Sequence, residues 1–285
     1  MTSTNRPGDP VTRVVALATY PIKGCAGTSL TEARLTEAGL AHDRAFLVVD
    51  DSGVFRSQRT DPRLAVIRPE VNEAGDQLTL RAPGAEELRV AVDATSAPRD
   101  VEMFRTPYRG IDQGPAVAAW LSDVLGSPSR LVRVPPDHQR VVDGLHPGTA
   151  AYADSGAVHV LSRATLDELN RRLAAAGGSA LPMDRFRPNI VVDGWDEPHE
   201  EDRVRRVGIG DTELGYLKLA IRCAVTLVDQ SRGERAGPEP LRSLARYRRA
   251  AQGGVSFGVK FSVLRTGKLT VGDELAVTSW GESEL

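Results

Sequence analysis

Short apolar runs rich in β-branched residues, each closed by a turn residue, recur along most of this 285-residue chain. TRVVALATY ends at Pro21, and AFLVVDDSGVFRSQR reads as a hairpin with Asp51-Ser52-Gly53 at its turn. LAVIRPEV, QLTLRAP and ELRVAV follow at short spacing. A second β region, 187–229, holds RPNIVVDG, RVRRVGIG, TELGYLKLA and CAVTLVD, so that Cys223 begins an expected strand. The chain closes on SFGVKFSVLR and KLTVGDELAV, with Gly272-Asp273 suited to barrel closure. Many short strands punctuated in this way predict a small barrel or sandwich. Helical periodicity interrupts the pattern at 115–125, where Val117, Trp120, Leu121 and Val124 form one stripe before Gly126. It returns at 164–175, with Ser162 or Thr165 as cap and Thr165 with Glu168 as a capping box. A third helix is expected at 240–250, opened by Pro240. The stretch 135–157 reads as a long loop.

Charge and composition narrow the function. A formal net charge of -2 argues against a general nucleic-acid binder. No apolar run reaches the ~20 residues that span a bilayer. Residues 1–11 read as a disordered tail and not as a secretory signal. Two cysteines, Cys25 and Cys223, offer no disulfide framework, which suits a reducing cytoplasm. The five histidines show no zinc-ligand spacing, and there is no GxSxG elbow or Walker A loop. VGIGDTELG contains a G-x-G that opens no helix, so a dinucleotide fold is a poor reading. Without a haem, iron–sulfur or flavin fingerprint, redox chemistry here would need an external electron-donor protein.

The chemistry-bearing candidates are few. Taken alone, a thiol in an apolar run such as IRCAVTLVD is usually a core residue. Arg222 beside Cys223 nevertheless favours the thiolate, the form that binds soft metals. Cys25, bracketed by glycines in YPIKGCAG, reads as a turn residue. Only four basic residues are lysines (Lys23, Lys218, Lys260 and Lys268) in a chain that otherwise uses arginine. Arg187 and Asn189 flank a proline at the mouth of the IVV strand, on one face, where a guanidinium fork and an amide suit a phosphate or a polar ring edge.

YPIKGCAG, GLAHDRAFLVVDDSG, RFRPNIVVDG, IRCAVTLVDQSRGE, EPLRSLARYR and FGVKFSVLRTGKLTVGDE occur here in one order and spacing. Together, from about residue 12 to 280, they resemble the MOSC family, in particular the branch of the mitochondrial amidoxime-reducing component and its bacterial relatives. The resemblance implies an α+β, β-barrel-rich fold with flanking helices: an N-terminal β-barrel region over 12–128 and the MOSC domain over 129–285. It implies a molybdenum cofactor, Mo-molybdopterin, with Cys223 as the protein ligand to the metal. By position in the motifs, Lys23, Gly24, Arg44, Ser155, Gly156, Arg187, Asn189, Ile221, Arg222 and Lys260 fall on cofactor-binding positions, and Asp154, near the metal, is with Cys223 a candidate catalytic residue. The implied activity is reduction of small N-hydroxylated compounds (amidoximes, hydroxamic acids, N-hydroxy bases) by oxygen removal at molybdenum. The alternative is a non-catalytic carrier or sulfur-handling protein of the same cofactor. Four positions depart from the pattern. Gly24 stands where a serine is common, Ala220 and Ile221 replace a Cys–Ser pair, and Lys260 replaces a polar or aromatic residue.

Overall fold

A computed structural model describes residues 11–285; of the tail expected over 1–11, all but Val11 lies outside them. Its centre is an eight-stranded sheet in the order Thr28–Leu30, Arg13–Thr19, Ile190–Asp193, Val158–Ser162, Val255–Arg265, Thr212–Arg222, Val204–Ile209, Leu275–Trp280. One pair is parallel, Val158–Ser162 with Ile190–Asp193, and helix Arg163–Ala175 makes the crossover between them. The first strand also reaches the start of the last: Val14 N donates to Asp273 O (2.9 Å) and Leu275 N to Thr12 O (2.8 Å). These bonds close the sheet into a barrel filled by Val14, Leu17, Leu35, Val192, Tyr216 and Phe261.

A second core lies under helix Pro115–Leu125, where Ile22, Phe46, Leu64, Leu78, Leu121 and Leu131 meet. Around it stand a four-stranded sheet (Phe46–Val49, Arg130–Arg133, Thr106–Asp112, Arg99–Met103) and a three-stranded one (Arg68–Val71, Gln77–Arg81, Leu88–Ala91). The chain before residue 128 therefore serves both cores, because its first strands belong to the barrel. Among the described residues no helix is long and apolar enough to cross a membrane.

Several local expectations change. Ser162 caps the helix at 163–175, its Oγ accepting from Thr165 N at 3.1 Å. The Thr165–Glu168 box does not form, because Glu168 pairs with Arg171 and Arg172 and the Thr165 hydroxyl donates to Glu201. The third helix is only Leu241–Leu244. The returning arm of the 46–56 hairpin is a single bridge, Val49 to Phe55, and Phe46–Val49 finds its full partner in Arg130–Arg133. KLTVGDELAV breaks at Gly272-Asp273 into Gly267–Thr270, which pairs with Glu32–Thr36, and Leu275–Trp280. Cys223 does not begin a strand. It follows the end of Thr212–Arg222 and caps a 3-10 turn, Ala224–Leu227.

Candidate functional site

An open cleft gathers Lys23, Gly24, Arg44, Asp154 and Arg187 with Phe55, Arg56, Arg59, Phe104 and Val225. Lys23 enters from the turn after the first strand, its backbone N bonded to Phe46 O at 2.9 Å. Its ammonium donates to Tyr152 O at 2.8 Å and pairs with the Asp154 carboxylate. Burial lowers the lysine pKa, and Asp154 works against that fall. Asp154 itself has a side chain 49% exposed. Desolvation pushes its pKa up, but Lys23, then Lys260 and Arg59, outweigh this and hold it well below the usual carboxylate range.

Arg44 and Arg187 both take left-handed backbone, with φ of 48° and 56°. That conformation is uncommon without glycine. It brings their guanidinium carbons to 4.4 and 4.2 Å from the centre of the Tyr20 ring. Stacking on an aromatic ring is favourable for one cation; two cations brought so close repel each other. One carboxylate offsets them directly. Asp43 accepts from Arg44 Nη1 at 2.5 Å, from Tyr20 N at 2.8 Å and from Asn189 Nδ2 at 2.9 Å. Burial is the main reason the Tyr20 hydroxyl is pushed up to about 12.

Asn189 is 1% exposed and fully engaged by the protein. Its Oδ1 accepts from Arg44 Nη1 (3.0 Å) and His159 N (3.1 Å), and its Nδ2 donates to Ala18 O and Asp43. The side chain braces Arg44 and does not stand open to a ligand. Gly24 has φ +85°, so a serine there would be strained, which gives this departure a backbone reason. Gly156 is buried, and a Cβ on it would come within 2.8 Å of the Lys260 Cβ. Ser155 is half-buried and makes no side-chain hydrogen bond among the described residues, and Ile221 is 40% exposed.

Arg222 donates from Nη2 to Phe186 O at 2.7 Å, while its buried Nε has no partner. Lys260 makes no hydrogen bond or ion pair among the described residues. Burial first, then Arg44 and Arg222, take its pKa well below the ordinary lysine value. The buried Nε atoms of Arg56 and Arg59 also lack partners. Seven cations (Lys23, Arg44, Arg56, Arg59, Arg187, Arg222 and Lys260) thus stand in or beside the cleft; Asp154 pairs with Lys23 and Asp43 with Arg44, while Asp61 and Asp184 lie near Arg56 and Arg187. Unpaired buried charge is costly, so this imbalance fits an anionic, acceptor-rich ligand.

The two thiols differ. Cys25 is completely buried in the second core, and burial pushes its thiol up to about 12. Cys223 is half-buried, two residues before the cleft-lining Val225. Its carbonyl accepts from Thr226 N (3.0 Å) and Thr226 Oγ1 (2.9 Å), which fixes the backbone on which the thiol sits. No group of three His, Cys, Asp or Glu side chains among the described residues could hold a metal unaided. Sequence reasoning missed Tyr20, Asp43, Arg59, Phe104 and Arg140. Arg140 holds the loop before Asp154 by donating to Ala151 O (2.9 Å) and Asp154 O (2.9 Å). Asp43 was legible as the neighbour of Arg44 in HDR; nothing local marked Arg140.

Residues 11–128 match the MOSC N-terminal beta barrel domain and residues 147–276 the MOSC domain. With both domains present in this order, the chain belongs to the MOSC family. Within that family it groups with the mitochondrial amidoxime-reducing components. It is 34% identical to component 2 of Rattus norvegicus, over 89% of this chain and 80% of that one, and 34% identical to component 1 of Homo sapiens, over 91% and 81%. It is also 32% identical to the molybdenum cofactor sulfurase of Danio rerio, over 84% of this chain but only 30% of that protein.

Proposed function

We propose that this chain holds a molybdenum cofactor, Mo-molybdopterin, in the cation-lined cleft and uses it to reduce small N-hydroxylated compounds. The surplus of cations in and beside the cleft, with unpartnered N–H groups on Arg222, Arg56 and Arg59, is the observation that carries the reading. Lys23, Arg44 and Arg187 would hold the phosphate and pterin edges by charge-assisted hydrogen bonds. Gly24, Ser155, Gly156, Ile221 and Arg222 would frame the group, with Asn189 acting through Arg44. Cys223 would give its thiolate to the metal, since Cys25 is sealed in an apolar core. When bound, the cofactor supplies the two-electron chemistry: the N–O bond breaks, two protons are taken up and water leaves. Both electrons come from an external donor protein.

The remaining work falls to this chain. Asp154, held well below the usual carboxylate range by Lys23, would anchor that lysine at the cleft. Lys260, close enough to Asp154 and Arg44 to feel their charges and without a hydrogen bond or ion pair among the described residues, would join the residues that frame the cofactor. The likeness to part of a cofactor sulfurase supports a second reading, a carrier or sulfur-handling role without turnover.

Molybdenum analysis followed by benzamidoxime reduction with an artificial electron donor separates the two. The reductase reading expects bound metal and turnover in the parent, and loss of turnover with retained fold in Cys223→Ser. Metal without turnover on any N-hydroxylated compound favours the carrier. A Cys223→Ser protein as active as the parent removes the ligand assignment.

A further inference from the structure

The hairpin formed by Arg99–Met103 and Thr106–Asp112 turns in two residues, Phe104 and Arg105, because Met103 pairs directly with Thr106. Both turn residues have positive φ, 55° and 64°. Tight hairpin turns of this hand normally use Asn and Gly, which tolerate left-handed backbone. Here a bulky aromatic and an arginine occupy both positions, at a free-energy cost that simpler residues would avoid. Strain of this kind persists where the surrounding structure imposes it, and it gathers at ligand sites.

The ring that this turn carries is placed with purpose. Phe104 lines the cleft and is 41% exposed. One edge rests on Phe55, with centroids 4.6 Å apart and planes at 65°. The Lys23 ammonium lies 5.3 Å and the Arg59 guanidinium 5.2 Å from its centre. Phe55 and the two cations hold the ring without covering it, so that it stays partly exposed in the lining of the cleft.

We infer that Phe104 sets the substrate preference of the cleft, its exposed ring stacking against the flat face of an aromatic or heteroaromatic N-hydroxylated compound. The inference rests on the reductase reading for the identity of the substrate class, and it adds which members of that class fit best. A ring-on-ring contact adds selectivity that the many cations cannot, because they attract any polar or anionic group alike.

The test compares equilibrium binding of benzohydroxamic acid and acetohydroxamic acid by calorimetry, on the protein as purified and on Phe104 variants. The parent should bind the aromatic compound at least about fivefold more tightly, as expected for an aromatic pair. Phe104→Leu should erase most of that ratio, and Phe104→Tyr should restore it. Phe104→Asn, which suits left-handed backbone, should lose the ratio while keeping or raising the melting temperature. This guards against a variant that simply fails to fold. An aromatic-to-aliphatic ratio that is the same in the parent and in Phe104→Leu overturns the inference. Turnover of the same two compounds then tells the readings apart: ring-selective binding without reduction sinks the reductase and leaves Phe104 its role, whereas reduction without ring selectivity does the reverse.

Discussion

Two polar clusters are buried in this molecule, and they are built on opposite rules. Behind the barrel, Asp202 meets Arg248 at 2.5 Å, with exposures of 1% and 5%, and Ser256 Oγ accepts from the same guanidinium at 2.9 Å. Beside them the fully buried Glu201 accepts from Ser162 N (3.1 Å), Ser162 Oγ (3.1 Å) and Thr165 Oγ1 (2.9 Å). This cluster ties helix Arg163–Ala175 to the barrel with nearly every carboxylate oxygen answered, Asp202 Oδ1 being the exception. The cleft is the reverse, with many cations, few carboxylates and several N–H groups left open. A balanced cluster is complete as folded, whereas an unbalanced one is completed by something that binds. Charge balance thus separates scaffold from site here better than burial does.

That contrast breaks if the two clusters respond alike to mutation. Arg248→Met should have the largest effect on stability, because it strands Asp202 in the interior. Loss of about 3–5 kcal/mol is expected, read by chemical denaturation, with molybdenum per folded protein unchanged. A variant as stable as the parent would show that the scaffold cluster is not one. Glu201 gives the next effect. Burial, then Asp202, raise its pKa to about 7 from 4.5. A group whose folded pKa is raised contributes stability that is complete below the unfolded value and fades as pH rises through the folded one. Stability should therefore fall between about pH 4.5 and 7 by an amount on the order of 3 kcal/mol from this group. Glu201→Gln should flatten that part of the pH–stability curve, and an unaltered curve would assign the slope to other groups. The smallest effect on folding, and the one specific to the cleft, is expected from Arg187→Ala. It removes charge-assisted bonds worth about 1.5–3 kcal/mol each toward the ligand. Cofactor content should drop while the melting temperature stays close to that of the parent; the opposite pattern would make Arg187 a scaffold residue.

Much of this was legible in the sequence, and the failures share a cause. Helix Pro115–Leu125 and its glycine stop appear where the apolar stripe and Gly126 place them, because a whole amphipathic period lies within one segment. Lys23, Arg44 and Arg187 meet in one cleft as their motifs suggested. CAVTLVD misled because a short apolar run looks the same whether it continues a strand or folds into a 3-10 turn. Asn189 misled differently. Its amide suits a ligand, but Arg44, His159, Ala18 and Asp43 take that capacity, and no local pattern reveals partners so far along the chain. Phe104 was invisible for the same reason, since its importance lies in a turn conformation and not in its neighbours in sequence.

The first strand has a consequence for how this protein is made. Leu17 pairs with Ile190, so the neighbour of an early strand is not synthesised until more than 170 residues later. At about 5–20 residues per second on the ribosome, that wait is on the order of ten to thirty seconds. For all of it the nascent Arg13–Thr19 segment, apolar without a break from Val14 to Ala18, carries an edge with no Ile190–Asp193 to pair with. Such an edge is a template for wrong partners. Speed of translation, and whatever shields this segment while it waits, should bear on yield.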